Sequence, residues 1–230
     1  AVEGAGVQLG VEWLAHVAFD HVDNAPEDVL VIGGGNTAMD CCRTALRLGA
    51  KNVKVMLRTP ISAMLASPWE IEDTLAEGIP ILENHNPAEY VVEDGKLSGM
   101  KFEIIEYDVA EDGTETFTPT GKTETLDASL VLLAIGQNNA FPWIEKDLGI
   151  EFNQRGLAKV NSDTFQSSLP KVFFGGDAAL GPKNIITAVA QGHQAAISID
   201  QFLLNKPVED RPAPFTNLMS QKMGIHDWSY

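Results

Sequence analysis

Val29-Leu30-Val31-Ile32-Gly33-Gly34-Gly35-Asn36-Thr37-Ala38 is the stretch on which the fold turns. Its four leading apolar residues form the unbroken run that a parallel strand covered on both faces requires, and glycine follows at once. From Asn36 to about Leu48 the pattern predicts a helix with Ala38, Cys42, Ala45 and Leu46 on one face, ended by Gly49. Val53 to Leu57 reads as the next strand, which completes a βαβ unit. At its first junction Gly33 to Ala38 satisfies G-x-G-x-x-A, a motif that gains meaning between strand and helix. In that motif Gly33 allows the tight turn, Gly35 lets the backbone approach a pyrophosphate, and Ala38 keeps helix and strand close. Unpaired N–H groups and the helix dipole then favour the phosphates. A glycine-rich turn that binds nothing is the competing reading, and the complete βαβ context weighs against it.

Working outward, the second strand ends in Arg58, where an NAD site typically carries Asp or Glu for the ribose hydroxyls. A cation there suits a 2′-phosphate; a solvated surface arginine is the alternative. Ser67-Pro68-Trp69-Glu70 reads as a capping box opening a helix, and Gly78 and Pro80 close it. Ile79 to Leu82 is predicted as a third parallel strand, Tyr90 to about Pro119 as an antiparallel meander turning at Asp94-Gly95 and Asp112-Gly113, and Leu130 to Ile135 as a further buried strand closed by Gly136. Beyond a turn at Asn153 to Gly156, Lys171 to Phe174 reads as a short strand ending at Gly175-Gly176-Asp177, before a long helix from about Asn184 to Leu204. Asp177 is suited to a ribityl or ribose hydroxyl, with the following helix N-terminus aimed at an electron-rich ring. Upstream, Val11, Leu14 and Val17 mark a short amphipathic segment between Val2 and Asp20; downstream, Pro207, Pro212 and Pro214 mark a tail.

The chain has 230 residues, 44% hydrophobic and 21% charged, enough for one large or two small domains. A net charge of −16 and a pI of about 4.6 oppose nucleic acid and anionic membrane, so a phosphorylated ligand must be held by local donors. The only two cysteines, Cys41 and Cys42, are adjacent, which suits neither a disulfide framework, a metal site nor a C-x-x-C dithiol. Structural packing in a reducing, cytoplasmic setting is expected. No apolar run approaches a membrane span and no basic-then-apolar leader is present, while the ends at Ala1 and Tyr230 suggest a piece of a longer polypeptide. His193 has no identifiable partner, so no catalytic acid or base and no metal ligand is assigned.

Gly33 to Cys41, continued by Arg43-Thr44-Ala45 and Gly49-Ala50-Lys51, resembles the NADPH fingerprint of two-dinucleotide-binding-domain flavoproteins, and within them of the glutamate synthase small-subunit group. That group is itself similar to the flavin portion of dihydropyrimidine dehydrogenase. Val172 to Asp177 with Ile185 to Gly192 is similar to the group's second FAD motif, and Ala134-Ile135-Gly136-Gln137 resembles the segment where the chain returns from the NADPH domain to the FAD domain. The resemblance runs from Val2 to about Leu204. It implies an α/β fold: a Rossmann-like three-layer NAD(P)-binding domain with an antiparallel meander, followed by the second half of a split FAD-binding domain. The expected spans are 1–24 as a lead-in from the FAD domain, 25–135 for NAD(P)H, 136–206 for the second FAD half and 207–230 as tail or linker. The first FAD half and the group's cysteine-liganded iron–sulfur region do not match anything in the chain.

The implied function is that of an FAD-dependent NAD(P)H oxidoreductase module passing hydride from NADPH to FAD and on to a partner redox centre, a subunit or domain in which an iron–sulfur group is one option. NAD stays open beside NADP, because Thr59 and Leu65 stand where the group often has basic residues; FAD is expected in the full-length protein. Gly33, Gly35, Asn36, Thr37, Ala38 and Arg58 are the candidate nicotinamide-nucleotide residues, Gly176, Asp177, Ile186 and Thr187 the flavin-side residues, and Gly136 lies near the junction. Two rivals remain at this level: a flavin-free NAD(P)-dependent dehydrogenase, and a non-catalytic nucleotide-binding module.

Overall fold

The computed structural model describes residues 6–145 and 147–209, which divide into two units at Gly136 and Gln137. In the first unit β1 (Val7–Leu9), α1 (Gly10–Ala18), β2 (Asp28–Ile32), α2 (Asn36–Arg47), β3 (Asn52–Met56), α3 (Pro68–Ala76) and β4 (Ile81–Leu82) precede a meander of β5 (His85–Glu93), β6 (Lys96–Val109) and β7 (Glu115–Asp127), and β8 (Leu130–Leu133) closes it. Five strands form a wholly parallel sheet in the order β1-β8-β2-β3-β4, and β5-β6-β7 form a separate antiparallel sheet. The three-layer α/β expectation is met. Residues 7–18, expected within a lead-in from another domain, supply an edge strand and a helix to this unit, with Val7 opposite Val131.

Alternation along the buried strands stacks the layers, because successive side chains of a strand point to opposite faces. Val29, Val31, Val53, Val55, Leu57, Leu130 and Leu132 pack with Trp13, Met39, Cys41 and Cys42 on the helical side. Leu30, Ile32, Met56 and Val131 pack on the other side with Leu97, Met100 and Phe102 of β6. Each such fully buried side chain stabilises the fold by about 1.5–3 kcal/mol before entropy is counted. Of the face expected for the first helix, Leu14 and Val17 pack against the core and Val11 is exposed; Trp13 is the buried anchor. Gly10 lets α1 lie close on α2, since a Cβ there would sit 2.8 Å from the Cys41 sulfur.

The expected capping box is not formed. Ser67 is the N-cap and Pro68 opens α3, but no side chain caps it. The Glu70 carboxylate instead meets Arg43 at 2.6 Å, and Asp73 and Glu77 complete a three-carboxylate grip on that guanidinium at 3.0 and 2.9 Å. Arg47 adds a second contact to Glu77 at 2.7 Å. This network ties α3 to α2, and networks of this kind outweigh isolated surface pairs. Burial pushes the Glu77 carboxyl up, and the hydrogen bonds and charges of Arg43 and Arg47 more than reverse this, leaving it below the ordinary range.

In the second unit only α4 (Asp177–Leu180) and α5 (Ile185–Leu203) are regular helices among the described residues, and single bridges such as Phe152 to Ala158 replace strands. The strand expected at Lys171 to Phe174 is reduced to one bridge between Phe173 and Gln166, because its backbone bonds to residues 165–167 extend no further than the Val172 carbonyl and the Phe174 N–H. Phe174 packs edge to face against both Phe141 and Phe152, which are tilted against each other, in a cluster with Ala158 and Ala179. The turn at Asn153 is an Asx turn whose side-chain oxygen accepts the N–H of Arg155 at 2.8 Å and of Leu157 at 3.1 Å. Among the described residues no helix is long and apolar enough to cross a membrane. Val2, Pro212 and Pro214 lie outside the described residues.

A carboxyl whose folded pKa is depressed contributes stability above its unfolded pKa and loses it as pH falls through the folded value. Glu77→Gln is therefore expected to lower the Tm at pH 7, with the deficit shrinking as both proteins are acidified below the ordinary glutamate range. Thermal scans of the two proteins across pH 3–7 check this; a deficit independent of pH contradicts it.

Candidate functional site

The chain winds from β2 outward to β3 and β4, then returns to place β8 on the other side of β2. Between β2 and β8 the strand order reverses, and in an open parallel sheet the crevice beyond the carboxyl ends at such a point is where ligands bind. Gly33 to Asn36 leave β2 on one side of it, and Ala134 to Gly136 leave β8 on the other.

The three glycines have separate reasons. Gly33 adopts φ +134, and a Cβ there would stand 2.3 Å from the Ala134 carbonyl oxygen. Gly34, not singled out in the sequence, would put a Cβ 2.9 Å from Leu57 and 3.2 Å from Met64. Its carbonyl accepts the N–H groups of Leu65 and Ala66, each at 3.0 Å. Gly35 has an ordinary φ of −98, and its Cβ would meet nothing within 4 Å. Open space at an unstrained glycine is what a backbone approached by a ligand shows. Gly35 is the N-cap of α2 with no side-chain cap, no acidic residue occupies the first turn, and among the described residues the N–H groups of Gly35, Asn36 and Thr37 have no protein acceptor. This is the donor set that a diphosphate needs.

Asn36 is committed in part to structure: its side-chain oxygen accepts the Ser67 N–H at 2.8 Å. With Gly34 and with the Glu83 carboxylate, which accepts the N–H of Ile61, it holds the 61–67 loop beside the glycine turn. Ala38 is fully buried, so its part is close helix–strand packing rather than ligand contact. Arg58 lies two residues beyond β3, one strand over from the glycine turn, and is exposed. Its guanidinium carbon sits 4.7 Å above the centre of the Phe117 ring on β7. Leu65 is 91% exposed and offers no polar group there.

The flavin-side candidates lie in the second unit around one turn. Gly176 adopts φ 60, ψ −149, and donates its N–H to the Gln191 side-chain oxygen at 2.6 Å. Gln191 is a buried polar residue that the sequence reading did not single out; its place in the stretch from Ile185 to Gly192 was the available signal. One Asp177 oxygen accepts the Lys183 N–H at 3.3 Å, and the side chain is exposed. Asn184 caps α5, accepting both the N–H and the hydroxyl of Thr187 at 2.8 Å, so those two donors are already used. Ile185 and Ile186 beside them are 83% and 80% exposed, an apolar shelf at the start of the helix. Gly136, at φ +100 with open space around it, ends the first unit.

The model of the family described as "Pyridine nucleotide-disulphide oxidoreductase" matches residues 2–192. The chain belongs to this family. Among curated members similar to it, the NADP(+)-dependent formate dehydrogenase subunit beta of Moorella thermoacetica is 35% identical over 95% of this chain and 31% of its own length. The glutamate synthase [NADPH] small chain of Escherichia coli is 36% identical over 76% of this chain and 38% of its own. The chain thus spans about a quarter to two-fifths of the length of the curated relatives it matches. Thioredoxin reductase of T. acidophilum superposes with a TM-score of 0.70 at 22% identity, covering 87% of this chain and 59% of that one, which shows the shared fold. The family's name includes a disulphide, yet Cys41 and Cys42 are both fully buried in α2. Burial pushes Cys41 up to about 12 and Cys42 up to about 11, so neither forms a thiolate near neutrality.

Gly33→Ala is expected to destabilise the fold by more than about 1 kcal/mol through strain at positive φ and the Ala134 clash. Gly35→Val is expected to leave the circular dichroism spectrum and Tm nearly unchanged while raising the NAD(P)H Kd at least about tenfold, because its side chain fills only ligand space. Equal effects of the two substitutions would contradict the separation. Both thiols are expected to be unreactive toward a water-soluble disulfide reagent at pH 8 and to react only on unfolding; one native equivalent would contradict their burial.

Proposed function

We propose that this chain is the nicotinamide-nucleotide side of an FAD-dependent oxidoreductase that takes hydride from NADPH. One observation carries the reading: an uncapped helix N-terminus opens through an unstrained, unobstructed Gly35 onto the crevice where the strand order reverses. Those backbone donors bind a diphosphate without any cation, which resolves how a chain of net charge −16 can hold a polyanion. Arg58 is the residue assigned to the 2′-phosphate, and no acidic residue takes the place that NAD sites use at the end of β3.

The Gly176 turn, the Asp177 carboxylate and the apolar shelf of Ile185 and Ile186 suit an isoalloxazine with its ribityl chain. FAD, when bound, supplies the two-electron acceptor for the nicotinamide hydride and can release electrons singly or in pairs. The chain's own residues position: Gly35 and the first turn of α2 fix the diphosphate, Arg58 fixes the adenosine end, and no side chain is assigned a proton transfer. Relatives named as a formate dehydrogenase subunit and as glutamate synthase small chains support a redox partner subunit or domain as the electron acceptor. Buried, protonated thiols suit a reducing cytoplasmic setting.

Arg58 can give a 2′-phosphate a charge-assisted contact of about 1.5–3 kcal/mol. With Thr59 and Leu65 adding little, NADPH is expected to bind about tenfold better than NADH, and Arg58→Ala to bring the two together mainly by weakening NADPH. Dissociation constants for both nucleotides at fixed salt, in both proteins, test this. Equal wild-type affinities would overturn the NADP assignment. NADPH-driven reduction of ferricyanide by the FAD-loaded protein tests the enzyme reading: its absence despite tight nucleotide binding would favour a non-catalytic module, and activity without flavin would favour a simple dehydrogenase.

A further inference from the structure

Arg58 stands apart from the arginines of α2. Arg43 and Arg47 are consumed by carboxylates, whereas among the described residues no carboxylate pairs with Arg58. It lies instead over the face of Phe117, at 4.7 Å. That ring comes from β7, some sixty positions along the chain, and is fixed by its neighbours. Phe117 lies opposite Tyr107 in the β6–β7 register, the two rings are 5.5 Å apart, and the Tyr107 hydroxyl donates to Glu115 at 2.9 Å.

Resting on the assignment of Arg58 to the 2′-phosphate, we infer that Phe117 is a specificity-determining positioning residue: the meander supplies an aromatic platform that holds the Arg58 guanidinium over the carboxyl edge of β3 for the phosphate. A guanidinium stacked on a ring spends its face and keeps its in-plane N–H fork for bidentate hydrogen bonds. An exposed arginine otherwise samples many rotamers, and a ligand that captures it must offset that lost freedom. Stacking removes part of the loss before the nucleotide arrives, and only a nucleotide carrying the 2′-phosphate benefits. The antiparallel sheet is thereby given a task beyond covering the parallel one.

The experiment measures Kd for NADPH and NADH in wild type, Phe117→Ala, Phe117→Leu, Phe117→Trp, Arg58→Ala and the Phe117→Ala/Arg58→Ala pair. Phe117→Ala and Phe117→Leu are expected to weaken NADPH about two- to fivefold with NADH unchanged, the range of an exposed cation–π contact. Phe117→Trp keeps or raises the NADPH preference, and the double variant is no worse than Arg58→Ala alone. If Phe117→Ala fails to fold, the Leu and Trp variants, which keep apolar bulk, still decide. NADPH and NADH weakening together, a Leu variant that keeps the full preference, or additive losses in the double variant would each overturn the role of Phe117 while leaving Arg58 in place. An Arg58→Ala protein with an unchanged nucleotide preference would overturn the 2′-phosphate reading, and this inference with it.

Discussion

The Ala134 carbonyl stands where a side chain on Gly33 would have to be. That close approach lets the turn after β2 pass directly beside the end of β8, and the rest of the site depends on it. With β8 drawn against β2 in parallel register, Ile32 lies opposite Leu133, and one residue on the two exits still touch where Gly33 passes Ala134. A bulkier turn would separate the strands, and the N-terminus of α2 would no longer open on the crevice. Strain at one glycine and freedom at another two residues later are thus two halves of one arrangement: the first shapes the backbone and the second leaves it bare.

Around that turn the protein uses its polar groups to place backbone rather than to do chemistry. Asn36, Glu83 and the Gly34 carbonyl hold the 61–67 loop from three directions. Arg43 gathers Glu70, Asp73 and Glu77 and so draws the helix that follows the loop onto α2. The second unit repeats the device when the buried Gln191 takes the N–H of Gly176 and fixes a turn that only glycine adopts readily. Such a scaffold suits a reaction in which the cofactors carry the reactive atoms and the protein sets distances.

Periodicity and spacing alone determined a good deal. The run from Val29 to Ile32, the glycines after it and the apolar face of the next helix specify a βαβ unit, because an unbroken apolar strand must be covered on both faces and only glycine permits the turn. The alternation near Phe102 marked the meander, and the adjacent, helix-borne cysteines marked packing rather than redox chemistry. These are local signals, carried by neighbours in sequence.

What only the tertiary structure decided involves residues far apart in the chain. Ser67 and Glu70 look like a capping box locally, yet Arg43, 27 residues away, offers Glu70 a charge-assisted bond stronger than a cap. Lys171 to Phe174 has strand composition but bonds only to residues 165–167, and composition cannot supply a longer neighbour. Trp13 takes the place expected of Val11 beside Leu14 and Val17, because α1 lies on α2 at Gly10, where a side chain would meet the Cys41 sulfur. The ring beneath Arg58 belongs to a strand that pairs with β6 and reaches that arginine only when the two sheets stack. The sequence by itself could name the cation, and folding alone could give it a platform, because a cation–π contact is set by distance in space and leaves no periodic trace in the chain.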